Sequence, residues 1–210
     1  DMTLDELIDY FKDEPMDFNP GDAFSYNNSG YILLGKIIEV VSKETYENVI
    51  EKTIFQRLGM SNSSYGSNRD IVKNRVSPYE QNANGYVNAN YISMSVPHAA
   101  GALMSNTDDM LKWQNALTNN TLISAQTLEK AINGATLNNG EEISYGYGLG
   151  KTYFRGSKGY THSGGIFGTS TNGLYLIDED VYVIGLSNCS CNDIAALTQS
   201  LAAIAIGKPF

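Results

Sequence analysis

One titratable side chain stands among glycines in the stretch Tyr160–Gly168, which reads Tyr-Thr-His-Ser-Gly-Gly-Ile-Phe-Gly. His162 is one of two histidines in the chain, and Ser163, Gly164 and Gly165 follow it directly. Glycines beside a titratable group at a strand end indicate a place where backbone comes close to a ligand. The alternative is a glycine-rich turn with an incidental histidine, and the local sequence alone favours that alternative.

A second short motif, Tyr26-Asn27-Asn28, stands immediately before a predicted helix. Taken alone, a Tyr-x-Asn in that place is most often a turn with an aromatic anchor. An Asn at a helix N-terminus is most often a cap. The other histidine, His98, lies in a small-residue segment, where a polar role in the loop is the expectation.

Composition excludes several classes of function. A net charge of −9 and a pI near 4.6 argue against nucleic acid and against anionic lipid as partners. Two distant histidines and clustered surface acids make no metal site, and neither a metal nor another cofactor is predicted. Cys189 and Cys191 are separated by Ser190 alone, so we expect reduced loop cysteines, since a disulfide at that spacing would be strained.

The N-terminal sequence Asp-Met-Thr-Leu-Asp-Glu lacks the basic start and apolar core of a signal peptide. The chain also begins without an initiator methionine, so Asp1 is expected to be an internal residue of a longer protein.

Helices are predicted to dominate the region 1–140, and apolar spacing with capping residues defines them. The first expected helix is Thr3–Phe11, capped by Thr3 and Glu6, and the second is Ser29–Ser42, which is expected to bury Tyr31, Leu34, Ile37, Ile38 and Val41. A third is expected over Thr45–Arg57. A fourth is capped by Ser105 and Asp108 and has apolar residues at Met110, Leu111, Trp113 and Leu117, and Ser124 begins a fifth. The segment Ser61–Pro97 is expected to be a long excursion with little regular structure.

Strands are predicted to dominate the region 141–210. The expected strands are Ile143–Phe154, Tyr160–Ser163, Leu174–Ile177 and Val181–Leu186, the last two forming a hairpin. A final helix is expected from a cap at Asn192 to about Ile206. Helices followed by antiparallel strands and a closing helix predict an α+β fold.

Several segments, in order along nearly the whole chain, resemble the serine β-lactamase-related family of the class C type, which includes D-Ala-D-Ala carboxypeptidases, penicillin-binding proteins, D-aminopeptidases and esterases. The matching segments are Phe24–Tyr31 with Leu33-Leu34-Gly35, Ile54–Met60, Ala100–Ser105 with Asp108–Trp113, Tyr145–Gly150, and His162–Gly165. The resemblance implies a β-lactamase/transpeptidase-like fold, acyl-transfer chemistry and a location in the bacterial cell envelope or outside the cell.

The resemblance also implies roles for the two motifs. Tyr26 would exchange protons with a nucleophile and a leaving group, which a phenol of ordinary pKa about 10 does near neutrality only beside cations. Asn28 would hold the substrate amide and a lysine. His162 would occupy the first position of a Lys-Thr-Gly or His-x-Gly motif. Ser163 would bind a substrate carboxylate or carbonyl, and the Gly164–Gly165 backbone would supply half of an oxyanion hole through the N–H of Gly165.

The family's nucleophile lies in a Ser-x-x-Lys motif upstream of Tyr-x-Asn, and no serine of this chain has a lysine three positions on. We therefore expect the nucleophile upstream in the parent protein and residues 1–210 alone to be inactive. The expected substrate is an acyl ester, a D-amino-acid peptide or a β-lactam, and the chain is expected to associate with the missing N-terminal segment or with itself. The alternative is a non-catalytic binding module that has lost the nucleophile.

Overall fold

A computed structural model describes residues 1–209 of the chain. They form two compact units, one made of Asp1–Asn74 with Tyr91–Lys112, the other of Arg75–Asn90 with Trp113 onward. Helices and antiparallel strands occur together, which confirms the α+β class. The predicted division into regions 1–140 and 141–210 stays a prediction. It separates a mainly helical region from a mainly stranded one, whereas the two compact units are defined by which residues pack together.

The helices are bounded as follows: α1 (Leu4–Asp9), α2 (Asn28–Ser42), α3 (Tyr46–Ile50), α4 (Gln56–Leu58), α5 (His98–Gly101), α6 (Thr107–Thr118), α7 (Ala125–Asn133) and α8 (Ile194–Ala205). The strands are β1 (Ser64–Tyr65), β2 (Tyr79–Asn82), β3 (Gly85–Asn88), β4 (Leu103–Met104), β5 (Gly150–Phe154), β6 (Ser157–Ile166), β7 (Thr169–Leu176) and β8 (Val181–Ser187).

The first helix begins where the sequence predicts. The Thr3 hydroxyl accepts the Glu6 N–H at 3.2 Å, and Glu6 Oε2 accepts the Thr3 N–H at 2.7 Å. This reciprocal capping box satisfies donors that a helix start leaves open. Leu7 is the buried residue of α1, while Leu4, Ile8 and Phe11 are half-buried.

The predicted buried face of α2 is wrong for three of its five residues, while Tyr31 and Ile38 are half-buried. Leu34, Ile37 and Val41 are 50%, 55% and 77% exposed, whereas Ile32 and Gly35 are buried. The helix is apolar on several sides, so its periodicity does not define a single face. Contact with α5 selects the face instead, because a Cβ on Gly35 would lie 2.6 Å from Ala99 Cβ and 2.9 Å from His98 Nε2.

The predicted third helix is present, with one irregularity. The Thr45 hydroxyl caps α3 by accepting the Asn48 N–H, and Gly59 at φ +64° ends α4. Between them the residues Glu51–Phe55 form a π-helical turn that the sequence pattern did not indicate. Such turns widen a helix locally without breaking it.

The long segment after this helix contains two short pairings. β1 pairs with β4, and β2 pairs with β3 as an antiparallel hairpin in which Asn82 faces Gly85. The hairpin was not predicted, although Gly85, which directly follows the two-residue loop Ala83-Asn84, has the positive φ of +115° that glycine adopts readily. The rest of Ser67–Val96 has no regular structure, as expected.

The start of α6 corrects the prediction. Asn106, not Ser105, provides the side chain there, since Asn106 Oδ1 accepts the Asp109 N–H at 2.9 Å. Asp109 is 0% exposed and accepts the Asn62 N–H at 2.7 Å and Lys112 Nζ at 2.7 Å. Burial raises the pKa of Asp109, but the bonds from Lys112, Asn62 and Ser63 outweigh it, so the pKa is lowered overall.

A four-stranded antiparallel sheet with strand order β5-β6-β7-β8 forms the centre of the second unit. The turn Arg155-Gly156 joins β5 to β6 with positive φ at both residues, as a tight hairpin of this hand requires. The predicted β7–β8 hairpin is present, and Tyr175 donates its hydroxyl to Asp180 in the connecting segment at 2.8 Å.

Each face of this sheet has its own core. On one face Ile132 of α7 packs with Tyr160 and Tyr175, and Gln114 Nε2 donates to the Tyr160 hydroxyl at 2.6 Å. On the other face Ala202 of α8 packs with Leu174 and Leu176.

The predicted strand over Ile143–Phe154 is wrong in its first half, because regular pairing begins only at Gly150. Glycines account for the difference. A Cβ on Gly146 would lie 2.0 Å from the Ala131 carbonyl oxygen, and one on Gly134 would lie 2.2 Å from the Ile143 carbonyl oxygen. This close approach binds the segment to the end of α7 instead of extending it along the sheet.

The last helix and the cysteines also differ from expectation. Asp193, not Asn192, caps α8 by accepting the Ala196 N–H at 2.9 Å, while Asn192 donates to Ser187 Oγ at 2.8 Å. Cys189 and Cys191 are not reduced: they form a disulfide with Cα atoms 5.1 Å apart. A Cα separation in this range accommodates a disulfide despite the short sequence spacing.

Candidate functional site

The glycine-rich stretch forms an open sheet edge. β5 ends where Gly150 pairs with Thr161, and β6 continues to Ile166. The segment His162–Ile166 therefore pairs with β7 on one side, and among the described strands none pairs with its other side. An open edge presents backbone N–H and C=O groups that an extended ligand can pair with.

Cross-strand register assigns the side chains of this edge to two faces, because successive strand residues point to opposite sides. His162 pairs with Gly173 and shares the face of Tyr160 and Tyr175. Ser163 pairs with Asn172, which bonds Thr198 of α8, so Ser163 lies on the α8 face. The two residues are adjacent and both are exposed, but their side chains point to opposite faces of the sheet.

Close packing within the protein explains why residue 164 is glycine, but it does not explain why residue 165 is glycine. A Cβ on Gly164 would lie 2.5 Å from Thr171 Oγ1, whereas one on Gly165 would meet nothing closer than the Thr169 carbonyl at 3.9 Å. Gly165 also has no positive φ. A glycine that neither sterics nor conformation requires fits a position that a ligand approaches closely.

His162 has a hydrogen-bonding neighbour for which the sequence motifs predict no role. The Tyr145 hydroxyl lies 3.0 Å from His162 Nε2, and the two ring centroids are 6.0 Å apart. Tyr145 belongs to the Tyr145–Gly150 segment, in which tyrosines alternate with glycines. This alternation is visible in the sequence, but it does not indicate which tyrosine of the segment reaches His162.

The Tyr-x-Asn motif lies at the start of α2, in the other unit. Asn27 caps the helix, since its Oδ1 accepts the Gly30 N–H at 2.7 Å. Capping therefore does not account for Asn28, the first residue of the helix. Tyr26 is 53% exposed and Asn28 is exposed as well, so both side chains are accessible to a substrate.

The second histidine is a core residue. His98 is 7% exposed, and its Nδ1 lies 3.0 Å from the Tyr65 hydroxyl. Its ring packs against Tyr46 at a centroid distance of 5.1 Å. Burial lowers the pKa of His98, opposed by the charge of Glu39, so the buried ring is held neutral.

Residues 1–209 contain no group of three or more His, Cys, Asp or Glu side chains placed to hold a metal ion. They also contain no helix with the length and apolar character needed to cross a bilayer.

Similarity to known proteins covers nearly the whole chain. A family model described as beta-lactamase matches residues 1–203. Penicillin-binding protein 4* of Bacillus subtilis is 32% identical over 203 residues, covering 87% of this chain and 44% of the relative. D-aminopeptidase of Gluconobacter oxydans is 24% identical over 197 residues, covering 93% of this chain and 37% of the relative.

A solved structure shows the same fold. The octameric penicillin-binding protein homologue from Pyrococcus abyssi is 28% identical, with a TM-score of 0.82 over 98% of this chain and 48% of that one. The chain thus spans about half the length of these relatives, or less. The family model and the ordered motifs lead to one conclusion: this chain belongs to the β-lactamase family of serine hydrolases.

Proposed function

We propose that this chain is part of a serine acyl-transfer hydrolase whose nucleophilic serine and its lysine lie upstream in the parent protein. The serine attacks an amide, ester or β-lactam carbonyl to form an acyl-enzyme, and water then releases the acyl group. Within residues 1–210 no serine is followed three positions later by lysine.

The observation that carries the proposal is the open edge of β6. His162–Gly165 continues past the end of β5, and Gly165 is a glycine that intramolecular packing does not demand. An acyl substrate lying along this edge places its carbonyl oxygen beside the Gly165 N–H, which supplies half of an oxyanion hole. Ser163 then binds a polar group flanking that carbonyl, while Gly164 pairs with Thr171 of β7 and lets the strand lie close to it.

Tyr26 and Asn28 at the start of α2 are both exposed, and we propose a catalytic role for each. Tyr26 transfers the proton between the serine and the leaving group, as a phenol can when neighbouring cations lower its pKa. Asn28 binds the substrate amide and orients the upstream lysine. His162 stands at the first position of the His-x-Gly motif and contacts the substrate from the sheet side.

For the substrate we propose an acyl ester, a D-amino-acid peptide or a β-lactam. The relatives bear the names penicillin-binding protein and D-aminopeptidase, which supports this class. For the location we propose the bacterial envelope or the extracellular space. The Cys189–Cys191 disulfide supports this, because disulfides persist in oxidising compartments.

Covalent labelling tests the proposal. A fluorescent penicillin or a fluorophosphonate probe is expected to label the full-length parent protein at the serine of a Ser-x-x-Lys motif. The same probes are expected to leave residues 1–210 alone unlabelled. Labelling of this chain by itself would disprove an upstream nucleophile, and a full-length protein that binds penicillin without a covalent adduct would point to the binding-module alternative.

A further inference from the structure

We propose that Tyr145 is a positioning residue for His162: its hydroxyl donates to Nε2 and holds the imidazole in one orientation, with the proton on Nδ1. The hydrogen bond itself is a property of this chain. Its effect on the reaction rests on the proposed function.

The contact between the two rings is direct. The Tyr145 hydroxyl is 3.0 Å from His162 Nε2, and the ring planes are tilted by 52°. Tyr145 is half-buried, whereas His162 is exposed at the open edge of β6. A hydrogen bond from a better-packed ring restricts the rotamers that an exposed imidazole samples.

Pairing with Gly150 positions the backbone of Tyr145. Tyr145 and Gly150 form an antiparallel bridge, and Gly150 is itself paired with Thr161, the residue before His162. A Cβ on Gly150 would lie at the ordinary van der Waals distance of 3.9 Å from Tyr145 Cδ2, so the tyrosine ring lies directly beside this strand residue.

The next residue anchors the segment from the other side. Gly146 approaches α7 so closely that a Cβ there would lie 2.0 Å from the Ala131 carbonyl oxygen. The Tyr147 N–H donates to that same oxygen at 2.9 Å, and the Gly146 N–H donates to the Leu149 carbonyl at 2.8 Å. The backbone of Tyr145 is therefore fixed on both sides, and its ring reaches His162 from an ordered support.

The chemistry of the pair determines the tautomer. A neutral imidazole has one donor and one acceptor nitrogen, and the partner of one nitrogen decides where the proton sits. A phenol is a stronger donor than a neutral imidazole N–H, so the hydroxyl donates to Nε2 and the ring proton stays on Nδ1. Tyr145 thereby fixes which nitrogen of His162 is a donor at the edge where the substrate lies.

Nitrogen-15 NMR of the ring nitrogens tests the hydrogen bond in this chain. With two histidines the spectrum contains two ring systems, and His162→Gln assigns them. At a pH of about 8, where imidazole is neutral, His162 is expected in the Nδ1–H tautomer. Tyr145→Phe keeps the aromatic ring, and we expect it to shift the His162 signals toward a tautomer mixture while those of His98 stay in place.

Tyr147→Phe is the matched control, because Tyr147 is an exposed tyrosine in the same segment. It is expected to leave the His162 signals unchanged. The proposal is overturned if wild-type His162 already shows a tautomer mixture or the Nε2–H form, or if Tyr145→Phe changes its signals no more than Tyr147→Phe does.

Kinetics of the full-length parent protein test the effect on the reaction. Tyr145→Phe is expected to lower kcat by about tenfold with little change in KM, the size expected for loss of one orienting hydrogen bond. Tyr147→Phe is expected to retain wild-type kcat. If the His162 signals shift but kcat does not, the positioning role is wrong while the proposed hydrolase stands. If the wild-type protein forms no acyl-enzyme, the hydrolase and with it the catalytic role of Tyr145 are wrong, whatever the NMR shows.

Discussion

The two histidines of this chain have opposite environments, since one is buried and the other is exposed. His98 is buried, and its Nε2 is the one buried side-chain nitrogen or oxygen in residues 1–209 that lacks a hydrogen-bond partner. Burial raises the pKa of Tyr65 to about 12, so its phenol stays a neutral partner for His98 Nδ1. His162 is exposed and bonds Tyr145 at the edge of β6.

The buried histidine predicts a loss of stability in mild acid. The folded protein lowers the pKa of His98, so below about pH 6.5 the unfolded chain binds a proton that the folded chain does not. Stability from this group is therefore full above that pH and declines as the pH falls toward the folded pKa. Urea unfolding at a series of pH values measures the effect.

His98→Gln is expected to weaken this acid dependence, and His162→Gln, at the exposed histidine, is expected to preserve it. The charged or titratable groups around His98 are Glu39, Tyr46 and Tyr65. Of these, the two tyrosines have raised pKa values and stay neutral in mild acid. An unfolding free energy with the same pH profile in wild type and His98→Gln would contradict this account.

At the scale of the elements, Gly35 determines how α2 packs against α5. Gly35→Ala would place a methyl group 2.6 Å from Ala99 Cβ and 2.9 Å from His98 Nε2, which is closer than side chains tolerate. We expect a loss of about 1–3 kcal/mol of unfolding free energy, despite alanine's better helix propensity of about 1 kcal/mol.

Gly30→Ala in the same helix is the control, because a Cβ there meets nothing closer than Asn27 Oδ1 at 3.7 Å. It is expected to leave stability unchanged or raise it by up to about 1 kcal/mol. Thermal or urea unfolding of both variants provides the comparison. Equal stability of the two variants would show that α5 moves away from α2 without cost.

The elements that could be predicted from sequence are those with local signals. The capping box at Thr3 and Glu6 and the caps at Thr45 and Ser124 begin helices as expected. Where two polar residues are adjacent, the sequence cannot decide which one caps, as Asn106 and Asp193 show. The buried face of α2 and the irregular course of Ile143–Leu149 depend on close contacts with other segments, which periodicity does not contain.

The candidate site likewise contains some features that could be predicted from the sequence and others that could not. The order of the motifs points to Tyr26, Asn28 and His162–Gly165, and the roles of these residues stay predictions. The open edge of β6 was not predicted, because it depends on where β5 ends relative to Thr161. The Tyr145–His162 bond was not predicted either, since it depends on the turn that glycines build before β5.

For the molecule as a whole, the exposed apolar residues of α2 predict association. Leu34, Ile37 and Val41 lie on one side of the helix at spacings of three and four, and all are exposed. Contiguous apolar surface of this kind drives contact with another protein surface. We expect residues 1–210 to elute from gel filtration at more than the mass of a monomer.

Val41→Glu is expected to shift that equilibrium toward the monomer by placing a charge in the apolar face. Ile71→Glu is the control, since Ile71 is a fully exposed apolar residue outside α2. A wild-type chain that light scattering shows to be a monomer at high concentration would contradict this prediction.

The central claim is that Tyr26 and the His162–Gly165 edge serve a serine nucleophile that lies upstream. The most direct test is intact-mass spectrometry of the full-length parent protein, sampled over time after adding penicillin. The account predicts an adduct of one penicillin on the serine of a Ser-x-x-Lys motif. Acylation should be slower by about a hundredfold in Tyr26→Phe and unchanged in Tyr10→Phe, an exposed tyrosine of the same unit. An adduct on a residue within 1–210, or equal acylation rates in wild type and Tyr26→Phe, would contradict it.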